Sequence, residues 1–284
     1  MIIANTIQEV REQTALWRRE GLTVGLVPTM GYLHEGHASL VDRARAECQK
    51  VIVSDFVNPT QFGPQEDLAA YPRDLDGDCA LLEAHGCDLV FCPSVEEMYP
   101  AGAATYVNIQ SELPRQLCGR TRPNHFQGVC TVVSKLFHIA EPDRAYFGQK
   151  DAQQLAVIRQ MVRDLRFRVE IVACPTVREA DGLARSSRNA YLGPAERQAA
   201  AVLWRSMQAG REYLRSGKAG AKELVSVMTE VLEREPLARV EYVEAVDGVT
   251  LLPVDEVKAG DLVALAVHIG KTRLIDNFVA GEAP

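Results

Sequence analysis

The stretch that decides the fold is LTVGLVPTMGYLHEGHASL, residues 22–40. Its first part is a continuous apolar run that predicts a buried strand, and residues 36–48 have the spacing of a helix. Gly31 and Gly36 lie where the strand turns into the helix, and His34 and His37 stand three residues apart in the same turn. A buried strand that runs directly into a helix is typical of a parallel α/β sheet.

The same alternation continues to about residue 176. Further strands are predicted at KVIVSDFV (50–57), CDLVFCP (87–93, with the apolar run TYVNIQ at 105–110 after it), AYFG (145–148) and RVEIVACPTV (168–177). Helices are predicted at 74–86, 125–140 and 151–164. Apolar strands separated by helices predict a doubly wound, Rossmann-like parallel sheet over residues 1–176.

The pattern changes after residue 176. The segment READGLARSSRNAYLGP (178–194) has no periodicity and predicts a loop or hinge. Two helical stretches (195–215 and 219–234) and three strands (RVEYVEAVD, 239–247; LVALAVHIG, 262–270; TRLIDNF, 272–278) follow. We therefore expect a second, smaller α+β domain over residues 177–284.

Composition excludes several classes of protein. The net charge is -7, whereas a general nucleic-acid binder is normally basic. No apolar run approaches the roughly 18 residues of a membrane span, and the N-terminus becomes charged too early for a signal peptide. The seven cysteines form no CxxC pair, which fits reduced thiols. We expect a cytoplasmic protein with neither nucleic acid nor membrane as partner.

The two histidines indicate an anion site. Ligands of an open parallel sheet bind beyond the carboxyl ends of its strands, and a helix N-terminus favours negative charge. The glycine fingerprints GxGxxG and GxxxxGK[ST] are absent, so a phosphate would be held by imidazoles. A metal site and a pair of structural histidines remain alternatives, although Ala38 stands where HExxH needs its second histidine.

Three further blocks carry candidate binding residues. In FVNPTQF (56–62), the amides of Asn58 and Gln61 suit hydroxyl groups, unless the block is a polar turn around Pro59. In GQKDAQQ (148–154), Lys150 can neutralise phosphate, and Asp151 can cap the helix, take a ribose hydroxyl or bind Mg²⁺. Gln154 lies one turn later; a capped surface helix is the alternative.

Two more blocks are polar. The hydroxyls and Arg188 of RSSRN (185–189) can surround a triphosphate, or they can belong to an ordinary solvated linker. The block YPRDLDGDCALL (71–82) places Asp74, Asp76 and Asp78 at the head of a helix. Acidic residues in a first turn usually act as caps and dipole partners.

Taken together, these blocks carry a resemblance. PTMGYLHEGHASL (28–40), FVNPTQFGPQEDLAAYPRD (56–74), RPNHFQGVCTVVSKLF (122–137), FGQKDAQQ (147–154) and READGLARSSRNAYL (178–192) resemble the pantothenate synthetase (pantoate–β-alanine ligase) family of the HxGH nucleotidyltransferase superfamily. The resemblance implies that ATP and (R)-pantoate give pantoyl adenylate and diphosphate, and that β-alanine then displaces AMP to give pantothenate. It also implies Mg²⁺, a homodimer and a C-terminal lid domain.

The resemblance assigns residues. It implies ATP contacts for Met30, Gly31, Tyr32, Leu33, His34, Glu35, Gly36, His37, Gly148, Gln149, Lys150, Asp151, Val177, Arg185, Ser186, Ser187 and Arg188. His34, His37, Lys150, Ser186, Ser187 and Arg188 would be catalytic. Gln61, Gln154 and His125 would bind pantoate, Gln61 would also contact β-alanine, and Asp78 would assist Mg²⁺. Arg185 departs from the family, which usually has an aliphatic or small residue there.

Two other functions compete with this interpretation. One is an HxGH adenylyltransferase that transfers AMP to a phosphate acceptor, and the other is a non-catalytic nucleotide-binding regulator. A phosphate acceptor calls for Arg or Lys where this chain has Gln61 and Gln154. A regulator has no need of His34 and His37.

Overall fold

The computed structural model describes residues 1–64 and 66–282 and divides into two compact units. Unit 1 consists of residues 1–110, 122–149 and 157–175, and unit 2 of residues 111–121, 150–156 and 176–284. The stretches 111–121 and 150–156, which the sequence places in the first domain, therefore group with the C-terminal residues.

Unit 1 is built on a six-stranded parallel sheet. Its strands are β1 (Ile2–Ala4), β2 (Val24–Thr29), β3 (Lys50–Asp55), β4 (Leu89–Phe91), β5 (Arg144–Gly148) and β6 (Glu170–Cys174). They are ordered β1-β4-β3-β2-β5-β6, so the chain winds outward from β2 in both directions. The predicted doubly wound sheet is confirmed. The three-residue edge strand β1 was not predicted, and residues 105–110 are irregular rather than a strand.

Six helices accompany the sheet: α1 (Ile7–Arg19), α2 (Glu35–Glu47), α3 (Leu75–Ala84), α4 (Val95–Met98), α5 (His125–Ala140) and α6 (Ala152–Leu165). Val27 of β2 and Val53 of β3 pack with Val41 of α2 and Leu82 of α3 in one core cluster. Neighbouring strand residues such as Leu26 alternate to the opposite face and are equally buried. Both faces of the sheet are thus covered, which leaves the strand ends as the place for a ligand.

Unit 2 contains α7 (Pro194–Ala200), α8 (Val202–Arg215) and α9 (Ala221–Glu233). Its antiparallel sheet has the order β7-β8-β9, with β7 (Ala238–Val246), β8 (Leu262–Ile269) and β9 (Thr272–Val279). The predicted helix over 195–215 is two helices, α7 and α8, which are divided at Ala201. The smaller α+β fold is confirmed.

An ion-paired cluster fastens residues 111–121 to this sheet. Glu241 accepts hydrogen bonds from Arg273 at 2.7 and 3.0 Å and from Thr121 at 3.0 Å. Burial alone would raise the pKa of Glu241, but the guanidinium of Arg273 outweighs it and lowers this pKa to about 2. Glu241 therefore stays ionised and holds segment 111–121 in place. Within the described part of the chain, none of the helices has the length and hydropathy to span a bilayer.

Candidate active site

The turn after β2 brings the two histidines to the carboxyl edge of the sheet. Gly31 has φ +75° and Tyr32 has φ 51°, so two successive left-handed residues reverse the chain between the strand and α2. Gly31 is suited to this conformation, which L side chains rarely adopt. A Cβ at Gly31 would also lie 2.3 Å from a carboxyl oxygen of Asp55. The left-handed φ and the lack of space for a Cβ therefore both require glycine at this position.

His34 and His37 cap the helix reciprocally. His34 is the N-cap of α2, and its Nδ1 accepts the Gly36 N–H at 3.1 Å. The Nδ1 of His37 accepts the His34 N–H at 3.3 Å, and the ring centroids are 4.1 Å apart. An Nδ1 that accepts a hydrogen bond carries no proton, so each neutral ring carries its proton at Nε2. The sequence thus arranges two imidazole donors beside a helix N-terminus.

A buried pair of carboxyl groups supports this turn. Asp78 accepts the N–H of Tyr32 at 2.7 Å and that of Leu33 at 2.6 Å, and its residue is only 3% exposed. Asp55, at the end of β3, is hydrogen-bonded to Asp78. Burial and then the Asp78 charge raise the pKa of Asp55 to about 7, and burial raises the pKa of Asp78. Each oxygen of Asp78 thus accepts one backbone N–H, and the Mg²⁺ role of Asp78 stays a prediction.

Gln61 lies beside the same turn. It ends a short 3₁₀ helix (Pro59–Gln61) that follows β3, and its amide nitrogen donates to the sulfur of Met30 at 2.9 Å. The Asn58 amide donates to the Gln61 side-chain oxygen at 3.0 Å, and the Tyr99 hydroxyl donates to Asn58 at 2.8 Å. Asn58 is 1% exposed and Gln61 7%. The block is thus a polar turn around Pro59 whose two amides are buried and oriented, and their binding of hydroxyl groups stays a prediction.

His125 fixes the backbone of Gln61. Its Nδ1 donates to the Gln61 carbonyl at 2.9 Å, and its Nε2 lies 3.1 Å from the Arg122 guanidinium. Arg122 also donates to both oxygens of Glu66, at 2.7 and 2.6 Å. Burial would raise the pKa of Glu66, but Arg122 outweighs it and lowers this pKa. His125 therefore acts on the position of Gln61.

In unit 2, the segment with Lys150 is held from two sides. Lys150 lies 3.6 Å from the Asp151 carboxylate, and its carbonyl accepts from the Asn277 amide at 2.8 Å. Gln153 is 5% exposed and hydrogen-bonds to the backbone of residues 113, 116 and 118. Gln154 is only partly buried. Gln153 thus anchors this segment to residues 113–118, and the pantoate contact of Gln154 stays a prediction. In unit 1, Gly148 ends β5, where an added Cβ would meet no atom within 4 Å. Gln149 opens the following 3₁₀ helix.

The loop predicted over 178–194 is ordered by ion pairs. The Arg185 N–H donates to the Val177 carbonyl at 2.9 Å, and Ser186 caps a 3₁₀ helix that contains Ser187 and Arg188. Glu179 accepts from Arg197 and from the Asn189 amide, and it lies 3.6 Å from the Arg185 guanidinium. Arg185, of undetermined role from the sequence, is therefore an ion-pair partner within the loop.

Comparisons with known proteins agree along the whole chain. The profile of the family described as pantoate-beta-alanine ligase matches residues 2–279. The chain is 55% identical to the pantothenate synthetase of Clostridium acetobutylicum over 278 residues, which is 98% of this chain and 99% of that protein.

The chain belongs to the pantoate–β-alanine ligase family. It is a ligase that joins pantoate to β-alanine. Solved structures of the family agree. The crystal structure of pantothenate synthetase from Thermus thermophilus superposes with a TM-score of 0.94 at 50% identity, covering 98% of this chain and 99% of that one. The ligase of Francisella tularensis, crystallised with β-γ ATP and β-alanine, has a TM-score of 0.80 at 35% identity, covering 100% and 99%.

Family membership sets aside the adenylyltransferase and the regulator as functions of this chain. It does not reveal the supporting residues that sequence analysis missed, above all Asp55, Tyr99 and Gln153. Asp55 carried a usable signal, because a charged residue at the carboxyl end of a buried strand lies at the ligand edge of the sheet. Gln153 carried none, since it is one of two adjacent glutamines.

Proposed function

We propose that this ligase works in two steps, forming pantoyl adenylate from ATP and (R)-pantoate and then passing the pantoyl group to β-alanine. The observation that carries the proposal is the reciprocal cap of His34 and His37 at the start of α2. Two Nε2–H donors and the helix N-terminus suit the α-phosphate, where negative charge develops as diphosphate leaves. No protein nucleophile is needed, because AMP is the leaving group of the second step.

The family resemblance assigns cationic and hydroxyl groups to the first step. Lys150 and Arg188 neutralise the β- and γ-phosphates, and Ser186 and Ser187 donate to them. These groups matter only while diphosphate is attached, so they act on the first step. Val177 and the residues Met30–Leu33 and Gly148–Asp151 complete the ATP contacts implied by the family.

Pantoate is read by neutral amides. The Gln61 side-chain amide accepts from Asn58 and donates to Met30, and these two hydrogen bonds fix the orientation in which it would meet a substrate hydroxyl. Gln154 supplies a second amide, and His125 acts through the Gln61 backbone. β-Alanine then enters the space that diphosphate has left, because the site residues include no independent carboxylate clamp.

Mg²⁺ accompanies ATP in this proposal. Among the described residues, no three His, Cys, Asp or Glu side chains are grouped as ligands for a metal ion. Mg²⁺ commonly uses one or two carboxylates together with phosphate oxygens and water, which fits the partly exposed carboxylate of Asp151 beside Lys150. The homodimer stays a proposal from the family, and sedimentation equilibrium of the purified chain tests it.

The decisive experiment is isotope exchange. Purified enzyme is incubated with ATP, Mg²⁺ and labelled diphosphate, with pantoate and β-alanine each present or omitted. We expect label to enter ATP when pantoate is present and β-alanine absent, since the adenylate forms reversibly before the amine arrives. Exchange that required β-alanine, or that ran without pantoate, would overturn the adenylate-first order.

A further inference from the structure

A chain of hydrogen bonds connects the Tyr99 hydroxyl to the Gln61 amide through Asn58. The Tyr99 hydroxyl donates to Asn58 Oδ1 at 2.8 Å, and Asn58 Nδ2 donates to Gln61 Oε1 at 3.0 Å. Both amides are buried, so water has little access to these bonds. We call these three side chains the amide network.

Two backbone groups decide which end of the Asn58 amide faces Tyr99. The Gly128 carbonyl can only accept, and Asn58 Nδ2 donates to it at 3.2 Å. The Thr60 N–H can only donate, and Asn58 Oδ1 accepts from it at 3.4 Å. A flipped Asn58 amide would lose both bonds. Asn58 Oδ1 therefore faces the hydroxyls of Tyr99 and Thr60, which both donate to it.

The same reasoning orients the Gln61 amide. Asn58 Nδ2 supplies the proton of their shared bond, so Gln61 turns its oxygen toward Asn58. The Gln61 nitrogen then faces the sulfur of Met30 at 2.9 Å, and a thioether can only accept. A primary amide has two N–H groups, and within the described part of the chain only one of those on Gln61 has a protein acceptor. The amide network thus ends on an N–H donor at the residue proposed to bind pantoate.

Tyr99 is held in place by groups outside the amide network. It directly follows α4, and Lys135 of α5 donates from Nζ to the Met98 carbonyl at 2.8 Å. The same Nζ lies 4.9 Å from the centroid of the Tyr99 ring, within the range of a cation–π interaction. The Phe56 ring packs 6.3 Å from the Tyr99 ring, centroid to centroid. The position of the Tyr99 hydroxyl is therefore set independently of Asn58.

We propose that Tyr99 is a positioning residue for pantoate, whose hydroxyl, acting through Asn58, orients Gln61 so that Nε2–H donates to a hydroxyl oxygen of the substrate. The inference rests on the proposed role of Gln61. Without the Tyr99 hydroxyl, Asn58 Oδ1 loses the shortest of its three hydrogen bonds, and both amides gain freedom to turn. Discrimination by a hydroxyl then weakens, because a site rejects an analogue without that hydroxyl only while its own polar group is correctly oriented.

The test compares Tyr99→Phe with Tyr146→Phe. Each variant removes one hydroxyl, but the Tyr146 hydroxyl contacts Glu47 and Cys48 at the C-terminal end of α2 rather than the amide network. The assay is diphosphate–ATP exchange without β-alanine, run with (R)-pantoate and with the two analogues that each lack one of its hydroxyls. The value of kcat/KM is measured for each of the three acids.

We expect Tyr99→Phe to lower kcat/KM for pantoate about tenfold, and Tyr146→Phe to leave it within about twofold of the wild type. The loss should be selective for a hydroxyl. For one of the two analogues, the preference of the wild type for pantoate should shrink about fivefold or more in Tyr99→Phe. A general structural defect would lower the values for all three acids alike, and that result would overturn the proposal.

A double-mutant cycle tests whether Tyr99 acts through Gln61. In a Gln61→Ala background, Tyr99→Phe should change kcat/KM for pantoate by less than about twofold, because the group that Tyr99 positions is gone. A further loss of about tenfold there would contradict the inference. If Tyr99→Phe fails to fold, Thr60→Val, which removes the other hydroxyl donor to Asn58, is tested with the same two readouts.

The single variants separate this inference from the proposed function. If Gln61→Ala is impaired with pantoate while Tyr99→Phe behaves as the wild type, the inference fails and the proposed role of Gln61 stands. If Gln61→Ala keeps a normal kcat/KM for pantoate, the proposed role of Gln61 fails and the inference fails with it.

Discussion

Replacing Gly128 with Ala should strongly impair pantoate recognition while lowering the stability of the fold only slightly. Gly128 lies in α5, which packs directly on the 3₁₀ helix that ends at Gln61. A Cβ at this position would lie 2.4 Å from the Thr60 carbonyl oxygen and 2.6 Å from the Gln61 nitrogen. Both atoms are backbone, so no side chain can rotate away. Ordinary contact begins at 3.4 Å, and the Thr60–Gln61 peptide must therefore retreat by about 1 Å.

The expected magnitudes differ between stability and activity. Overpacking a close backbone contact costs about 1–3 kcal/mol, but Ala gains about 1 kcal/mol over Gly inside a helix. The net loss of stability is therefore small, about 0–2 kcal/mol. A misplacement of about 1 Å in a positioning group costs on the order of 100-fold in rate, or about 2.7 kcal/mol. Activity should suffer more than the melting temperature.

Two measurements test this. Steady-state kinetics should show kcat/KM for pantoate reduced on the order of 100-fold, with AMP binding by calorimetry close to normal. Gly193→Ala is the matched control, because its added Cβ would meet its nearest neighbour at an ordinary 3.6 Å. A Gly128→Ala enzyme with normal kcat/KM for pantoate and a lowered melting temperature would show that Gln61 does not read pantoate.

Three further predictions concern the other parts of the site and the unit 2 cluster. His37→Ala should lose about 2–4 kcal/mol of transition-state stabilisation in the exchange assay, and KM for ATP should change less than kcat. The control is His85→Ala, which removes a surface contact to Asp42 and should stay active. Arg188→Ala should lower kcat by a larger factor than it lowers the affinity for AMP, since AMP lacks the phosphates that this side chain is proposed to neutralise. An equal loss of AMP affinity by calorimetry and of kcat would contradict that role. The pKa of Glu241 is lowered to about 2, so its contribution is present above pH 4.5 and is lost as the pH falls from there toward 2. Glu241→Gln should therefore cost about 3 kcal/mol at pH 7, and chemical denaturation should find the wild type and variant converging near pH 2.

The sequence predicts most of the fold because its signals are local. The run from Thr23 to Leu40 contains the strand, the turn glycine and the helix in one stretch, and β2 and α2 fall where the pattern puts them. The edge strand β1 has three residues and too little pattern to detect. The break between α7 and α8 at Ala201 has no Gly or Pro to mark it.

The supporting contacts of the site could not be predicted in the same way. Asp78 has the pattern of a helix-cap residue, yet it accepts from Tyr32 and Leu33, 46 and 45 residues earlier. That contact depends on the left-handed φ of Gly31 and Tyr32, which turns their neighbouring N–H groups toward α3. The pairing of Glu179 with Arg197 likewise joins residues that the sequence shows only as ordinary surface charges.

The division of unit 2 among three stretches of chain has a consequence for biosynthesis. The ribosome finishes unit 1 at about residue 175, so the parallel sheet can form while the chain is still being made. Segment 111–121 must then wait for roughly a hundred further residues, which takes on the order of 5–20 s. During that interval segment 111–121, which includes the buried Leu113 and Leu117, lacks the contacts that Cys118 makes with Tyr242 of β7 and Arg273 of β9. Chaperone binding to nascent chains should therefore peak on this segment and end only when β9 has emerged.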